Sequence, residues 1–177
     1  TLLALAAGLD QVLGRDSDYP YKKLIVTKPI EPVGKDIGFL PGTIEDKLMP
    51  WLAPIKDNLE SLIGDRTAME MYMEQGTIEI EAMTFIRGRS ISNAYIIVDE
   101  AQNMTAHEIK TILTRVGEGT KIILTGDVQQ IDNSYVDAES NGLTYVVEKF
   151  KPYDITAHVT LTKGERSRLA TLSADIL

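Results

Sequence analysis

A chain of 177 residues, 44% hydrophobic and 25% charged, has the size and balance of one globular domain with a sizeable core. It has no cysteine, which excludes a disulfide framework or a thiolate metal site and fits a reducing, cytoplasmic compartment. A formal net charge of −8 argues against a uniformly basic nucleic-acid surface while leaving room for a local basic groove, and no apolar stretch reaches the roughly 20 residues needed to span a membrane.

Leu2, Leu5, Leu9 and Val12-Leu13 recur at helical spacing among Ala and Gly, which predicts a helix packed closely on a sheet and stopped at Gly14. Residues 16–20 read as a polar loop. Lys22 to Thr27 is a strand ended by Pro29, and Ile30 to Thr43, with two Pro and three Gly, is a long loop of the kind that more often carries function than decoration. Thr43 caps a helical pattern at Ile44, Leu48, Leu52, Ile55, Leu59 and Leu62, which Pro50 and Pro54 are expected to break in two. A short Met-bearing helix over 65–75 follows, then a strand over 77–82 and a basic stretch ending in Arg87-Gly88-Arg89.

Ala94 to Val98 is apolar, carries three β-branched residues and leads straight into Asp99-Glu100. Such a strand fixes two acids at the carboxyl edge of a sheet, where open α/β sheets bind ligands. In a nucleotide hydrolase the first acid helps hold Mg²⁺ and the second acts on the attacking water, but an ordinary strand entering an acidic turn explains this stretch as well. Thr105 and Glu108 form a capping box for a helix burying Ile109, Ile112, Leu113 and Val116. Lys121 to Thr125 is a strand ending in Gly126-Asp127, residues 128–139 are loop, 140–150 helix, 155–161 the last strand, and 165–177 a closing helix with Leu169, Leu172 and Ile176 inward. Helices alternating with strands that lack a polar face predict an α/β fold with a mostly parallel sheet covered on both sides. Gln130, three residues past Asp127, suits a terminal phosphate or an attacking water. An acidic pair followed by Gly-Asp-x-x-Gln, each after a buried strand, favours hydrolysis over a turn.

Residues 26–42 (VTKPIEPVGKDIGFLPG), 85–105 (FIRGRSISNAYIIVDEAQNMT), 113–132 (LTRVGEGTKIILTGDVQQID) and 161–170 (LTKGERSRLA) resemble the PhoH-like family of P-loop ATPases, relatives of the superfamily 1 helicase motor. The resemblance covers nearly the whole chain as a single domain, and the last block and the Gly-Lys-Asp-Ile-Gly loop look more like the fused PIN–PhoH proteins than the stand-alone kind. It implies a RecA-like sheet and the cofactors ATP and Mg²⁺. Asp99 would be the Walker B aspartate reaching Mg²⁺, Glu100 the general base, and Gln130, with Asp127 beside it, the γ-phosphate sensor; Gln102 would contact nucleotide or partner, or simply enter a helix. Thr1 looks like the last residue of the Walker A loop Gly-x-x-x-x-Gly-Lys-Thr, a Mg²⁺ ligand. The preceding glycines, lysine and strand are then missing, which would leave the Gly126-Asp127 strand with an unpaired edge. The expectation is that the complete protein hydrolyses ATP and that this chain binds it poorly.

The family core lacks the second helicase lobe, so the resemblance implies a homo-oligomeric ring, a hexamer being one such assembly, with Arg166 or Arg115 acting in trans. Arg115 suits a solvated or salt-bridging role equally. Lys28, which stands where many family members have arginine, Lys35, Arg87 and Arg89 are candidates for an RNA backbone, or for a solvated face. His107 and His158 lack a partner pattern and read as structural. Three functions stay open: an RNA-unwinding or RNA-remodelling ATPase with a PIN domain upstream in the fused proteins, an ATP-dependent switch or scaffold for a partner such as a ribonuclease, and a DNA-dependent NTPase.

Overall fold

The structure, a computed structural model, describes residues 1–14, 21–29, 44–86, 90–162, 169 and 172. Its strands are Lys23–Lys28 (β1), Ile78–Ala82 (β2), Ala94–Val98 (β3) and Lys121–Leu124 (β4), parallel throughout and ordered β2-β1-β3-β4. β1 and β3 are the central pair and the most apolar, as strands buried on both faces must be; all five residues of β3 are buried. The register sets Leu24 opposite both Ile78 and Tyr95, Val26 opposite both Ile80 and Ile97, and Ile97 opposite Ile123. Because side chains alternate along a strand, these residues share one face.

Three helices cover that face: α1 (Leu2–Leu13), α2 (Ile44–Ile63) and α3 (Arg66–Glu74). Leu5 and Leu9, then Leu52, Ile55 and Leu59, then Met69 pack with the strand residues as one buried cluster. Their i, i+3, i+4 spacing is the pattern of an amphipathic helix seated on a core. The opposite face presents Ile25, Ile96 and Val98, equally buried, and the chain's other buried residues include Ile86 of α4 (Met83–Ile86), Met104, and Ile109 and Ile112 of α5 (Ala106–Leu113). α6 (Gly142–Phe150) is the last described helix of more than one residue.

α1 approaches the sheet at a glycine. A Cβ at Gly8 would lie 2.8 Å from Leu24 Cδ1 and 3.1 Å from the Tyr95 ring, so the close packing expected from the Ala/Gly-rich sequence has an identifiable contact. Tyr95 is held there by the edge of Tyr21, with ring centroids 5.5 Å apart, and burial, with Tyr21 as a lesser cause, pushes its phenol pKa up.

Several expectations need correction. α2 is one continuous helix across Pro50 and Pro54. Both prolines are exposed and lie four apart on one side, so the carbonyls they leave unpaired, at 46 and 50, are on the side where water can satisfy them. Leu62 is at the exposed end of that helix rather than in the core, while Thr43 and the side chains of Ile44 and Leu48 lie outside the described residues. α5 ends at Leu113, and Leu113 and Val116 are only half-buried. Gly14 closes α1 with φ −57°, not in the left-handed conformation of a glycine stop.

Residues 1–146 and 147–177 form two units. In the second, Thr156 Oγ1 donates to the carbonyls of Phe150 and Tyr153, each at 3.1 Å, and Phe150 packs on Tyr153. The expected strand over 155–161 is not formed: Ile155, Val159 and Leu161 are exposed and the segment has no ladder among the described residues. A β-branched run becomes a strand only beside an ordered neighbour, since its backbone groups pair between strands and not within one. Leu169 and Leu172 are helical but exposed rather than inward, and Ile176 lies outside the described residues. Among the described strands β4 is at the edge, and its Ile122, Ile123 and Leu124 are only half-buried. No described helix is long and apolar enough to cross a membrane.

The Gly8 contact yields a prediction. Gly8→Val adds two methyls against Leu24 and Tyr95 and is expected to lower stability by about 1–3 kcal/mol, read as a drop in the urea midpoint at unchanged m-value; a midpoint equal to the parent's would contradict the close approach of α1.

Candidate functional site

The parallel ladder continues past the strands and sets the site. Asp99 N–H donates to the Thr27 carbonyl at 2.8 Å, Thr125 N–H to the Val98 carbonyl at 2.9 Å, and Ala101 N–H to the Thr125 carbonyl at 2.9 Å. Asp99 and Thr125 are thereby side by side at the carboxyl edge of the sheet. The N-terminus of α1 comes to the same place: Thr1 Oγ1 and Thr125 Oγ1 both donate to Asp99 Oδ1, each at 2.6 Å. Asp99 as a residue is 6% exposed, so this is a buried acid whose carboxyl oxygen is satisfied by two hydroxyls.

Glu100 turns away from it on a left-handed residue, φ 55° and ψ 38°. For a non-glycine residue that conformation costs on the order of 1–2 kcal/mol and persists only where the surroundings fix it. Here Asn103 N–H donates to the Glu100 carbonyl at 3.0 Å, and the carboxylate accepts from Gln102 Nε2 at 2.7 Å.

Gln102, wholly buried, spends its entire amide on this arrangement. Nε2 also donates to the Gln130 carbonyl at 2.8 Å, and Oε1 accepts from Asp127 N–H at 3.2 Å. One side chain therefore ties the Glu100 turn to both ends of the 127–130 segment. Gly126 leaves room for it, since a Cβ there would collide with Gln102 Oε1 and sit 2.9 Å from Leu143 Cδ2. Within the segment Asp127 acts as a local cap: Oδ1 accepts from Gln129 N–H at 3.0 Å and Oδ2 from Gln130 Nε2 at 2.6 Å. Asn103 anchors the chain beyond it, its Oδ1 accepting from Asp132 and Asn133 N–H at 2.7 and 3.2 Å while Asn133 Nδ2 donates back to the Asn103 carbonyl at 2.8 Å. Farther along, Asp137 is held below the usual carboxylate range, first by the Ser140 hydroxyl and then by the N–H groups of Ser140 and Glu139.

A cleft of about 430 Å³ opens beside this network, with Glu100, Asn103, Gln130, Lys28 and Trp51 among its lining residues.

The structure thus brings Thr1, Asp99, Glu100, Gln102, Asp127 and Gln130 into one connected region, with Lys28 at its rim. Arg115 is elsewhere. Its carbonyl accepts from Ile91 N–H, ahead of the amino end of β3, so it is separated from Asp99 by at least the length of that strand, about 17 Å at 3.3 Å per residue. Its guanidinium donates to the Thr111 carbonyl at 3.4 Å and its Nε is buried without a partner, while the residue as a whole is half-buried. Lys35, Arg87, Arg89 and Arg166 lie outside the described residues. His107 and His158 are exposed, and His158 is within 3.1 Å of the Thr160 hydroxyl.

Sequence reasoning passed over three residues. Thr125 had a usable signal, as the residue that closes β4 directly before Gly126-Asp127; Asn103 and Trp51 had none, since their importance depends on which loop and strand end they face.

A family profile described as PhoH-like protein matches residues 1–176. The chain belongs to the PhoH-like family. It is 58% identical over 182 aligned residues to Protein PhoH2 of Bacillus subtilis (strain 168), covering 100% of this chain and 40% of that protein. It is 40% identical over 176 residues to Protein PhoH2 of Thermobispora bispora, covering 99% of this chain and 39% of that one. The PhoH-like protein of Bacillus subtilis is 44% identical over 145 residues, covering 81% and 44% respectively. The chain thus spans about two fifths of the length of these relatives. The PhoH-like family is a P-loop family, and the four-stranded parallel sheet with flanking helices is the α/β architecture expected of it.

The donor set suits a hard divalent cation. A carboxylate and hydroxyl oxygens are the ligand types Mg²⁺ accepts, and it completes its shell with water and substrate phosphates, so it does not need a protein cage. Among the described residues no group of three His, Cys, Asp or Glu side chains could hold a metal by itself. Asp99 and Thr1 could therefore offer oxygens to a Mg²⁺ that arrives with a phosphate.

The network makes a prediction apart from activity. Gln102→Ala strands the Asp127 N–H and the Gln130 carbonyl and frees Glu100, and is expected to cost about 1–3 kcal/mol of stability, measured by urea unfolding. Unchanged stability would mean that the amide does not hold the two loops together.

Proposed function

We propose that this chain provides the hydrolytic edge of an MgATP-hydrolysing motor and that the work driven is RNA unwinding or remodelling. The observation that carries the hydrolytic part is the carboxylate of buried Asp99, held by the hydroxyls of Thr1 and Thr125 next to a helix N-terminus, with Glu100 fixed one residue on. A helix N-terminus offers unpaired N–H groups and a favourable dipole to a phosphate. Mg²⁺, when bound with ATP, neutralises charge on the β- and γ-phosphates.

Asp99 and Thr1 would hold the ion, Asp99 chiefly through water. Glu100 would accept a proton from the attacking water. Gln130, after exchanging its bond with Asp127 for one to the terminal phosphate, would report the nucleotide state. Gln102 would position Glu100 against that loop. Water attacks the γ-phosphorus, the bond to the bridging oxygen breaks, ADP leaves with the electron pair, and the proton passes to Glu100.

RNA as the driven substrate is supported by the family's kinship with helicase motors and by the cleft beside Glu100 and Gln130. Assembly into a homo-oligomeric ring in the cytoplasm, with Arg166 or Arg115 supplied by a neighbouring subunit and a PIN domain upstream, completes the reading.

The test uses the full-length protein. Glu100→Gln is expected to lower kcat for ATP by about 10²-fold or more, with MgATP affinity retained, and RNA is expected to stimulate the parent's turnover. Intact turnover in Glu100→Gln would remove it as the base. Stimulation by a partner protein but not by RNA would instead favour a regulatory scaffold, and a preference for DNA over RNA of equal length a DNA-dependent NTPase.

A further inference from the structure

The cleft beside the hydrolytic residues has a composition that the hydrolysis of ATP leaves unexplained. Trp51, the only tryptophan of the chain, forms part of its wall from α2, although it is only half-buried and its neighbours Leu52 and Ile55 already satisfy the helix's contact with the sheet. Asn103, Gln129 and Gln130 also line it; the Asn103 amide oxygen is already taken by the N–H groups of Asp132 and Asn133, which leaves the exposed Gln129 and Gln130 as the carboxamides able to donate and accept. Among the described residues the charged lining is one cation, Lys28, against two acids, Glu100 and Asp132. That balance repels a phosphate from the interior and admits a neutral, flat, hydrogen-bonding group. A volume of about 430 Å³ lies within the range of sites for small organic groups.

We propose that this cleft takes an unstacked nucleobase of a single strand, with its face on Trp51, its edge toward the carboxamides, and Lys28 on a flanking phosphate outside. Base–aromatic stacking is tolerant of sequence and gives much of the affinity of single-strand binders. A chain of net charge −8, with one cation among the described residues of this cleft, has to depend on it more than on backbone contacts. Glu100 and Gln130 are shared between the cleft and the hydrolytic network, so a base seated here touches the residues proposed to position water and sense phosphate. This rests on the nucleic-acid part of the proposed function and not on ATP hydrolysis, and it names the group recognised and the residue that recognises it.

Because Trp51 is the only tryptophan, the intrinsic emission of the chain reports this contact directly. A uridine dodecamer is expected to quench it saturably without nucleotide, and an abasic ribose-phosphate strand of the same length to bind about tenfold or more weakly. The log–log salt dependence is expected to be shallow, with a slope of about −1 or less in magnitude, as for one phosphate contact. Trp51→Ala is expected to weaken binding of the labelled strand about tenfold or more, while Trp51→Phe, which keeps a stacking face, recovers most of it. Should Trp51→Ala unfold, a 5-bromouracil strand irradiated with the unaltered chain is expected to crosslink to the peptide containing Trp51.

Equal binding of the abasic strand, a steep salt slope, no quenching, or a crosslink confined to another peptide would overturn the proposal. Absent quenching together with RNA-stimulated turnover lost in Glu100→Gln would sink the base site alone. Quenching as expected together with intact turnover in that variant would sink the hydrolytic reading alone.

Discussion

One buried amide joins the parts of this site. Asp99 and Thr125 are placed by the parallel ladder and would stand together in any sheet of this register. Glu100 and the 127–130 segment have no such guarantee, because both lie beyond the strands and the first is in a strained conformation. Gln102 fixes them relative to one another through two donors and one acceptor, all inside the protein. Buried polar groups are costly when unpaired, so a fully used carboxamide specifies one arrangement of the two loops and penalises the rest.

The same connection is what a nucleotide switch needs. The Gln130 side chain is bonded to Asp127 within an exposed turn, while the Gln130 carbonyl is bonded to Gln102 inside. A ligand that recruits the side chain pulls on a segment whose backbone is linked, through one residue, to the Glu100 carboxylate. Coupling of this kind requires an element with two arrangements that both sites bias. The Asp127 turn is short, exposed and held by local bonds, which makes it the part able to change while Asn103 keeps the chain beyond it in place.

How much of this the sequence disclosed depended on whether the cause was local. β3 and its acids were legible because a buried parallel strand has a one-dimensional signature, an apolar β-branched run with an abrupt polar end. The Thr105–Glu108 capping box was legible for the same reason, as both of its bonds close within four residues. What failed was set by neighbours. Pro50 and Pro54 forecast a break that their exposure on one side made unnecessary, and the run 155–161 had the composition of a strand but no partner among the described residues. In the site, Asp99, Glu100, Asp127 and Gln130 came from motif spacing, while the Gln102 bridge and the Thr125 bond to Asp99 required the fold to bring residues 25 or more apart into contact.

The strain at Glu100 and the satisfaction of Gln102 are best seen as one design. A glycine would occupy the left-handed turn at less steric cost, but it would leave no carboxylate at the edge of the sheet and one amide proton of Gln102 without its acceptor. A glutamate there carries a penalty that only a function-bearing side chain or an external constraint would maintain, and Gln102 is that constraint. Substituting the strained residue and substituting its holder therefore act on different terms. The first removes the chemistry and can relieve the backbone, whereas the second keeps the chemistry and lets the backbone relax away from it. Stability and turnover should move together for Gln102 and apart for Glu100, a contrast that separates a positioned carboxylate from an acid that merely ends a strand.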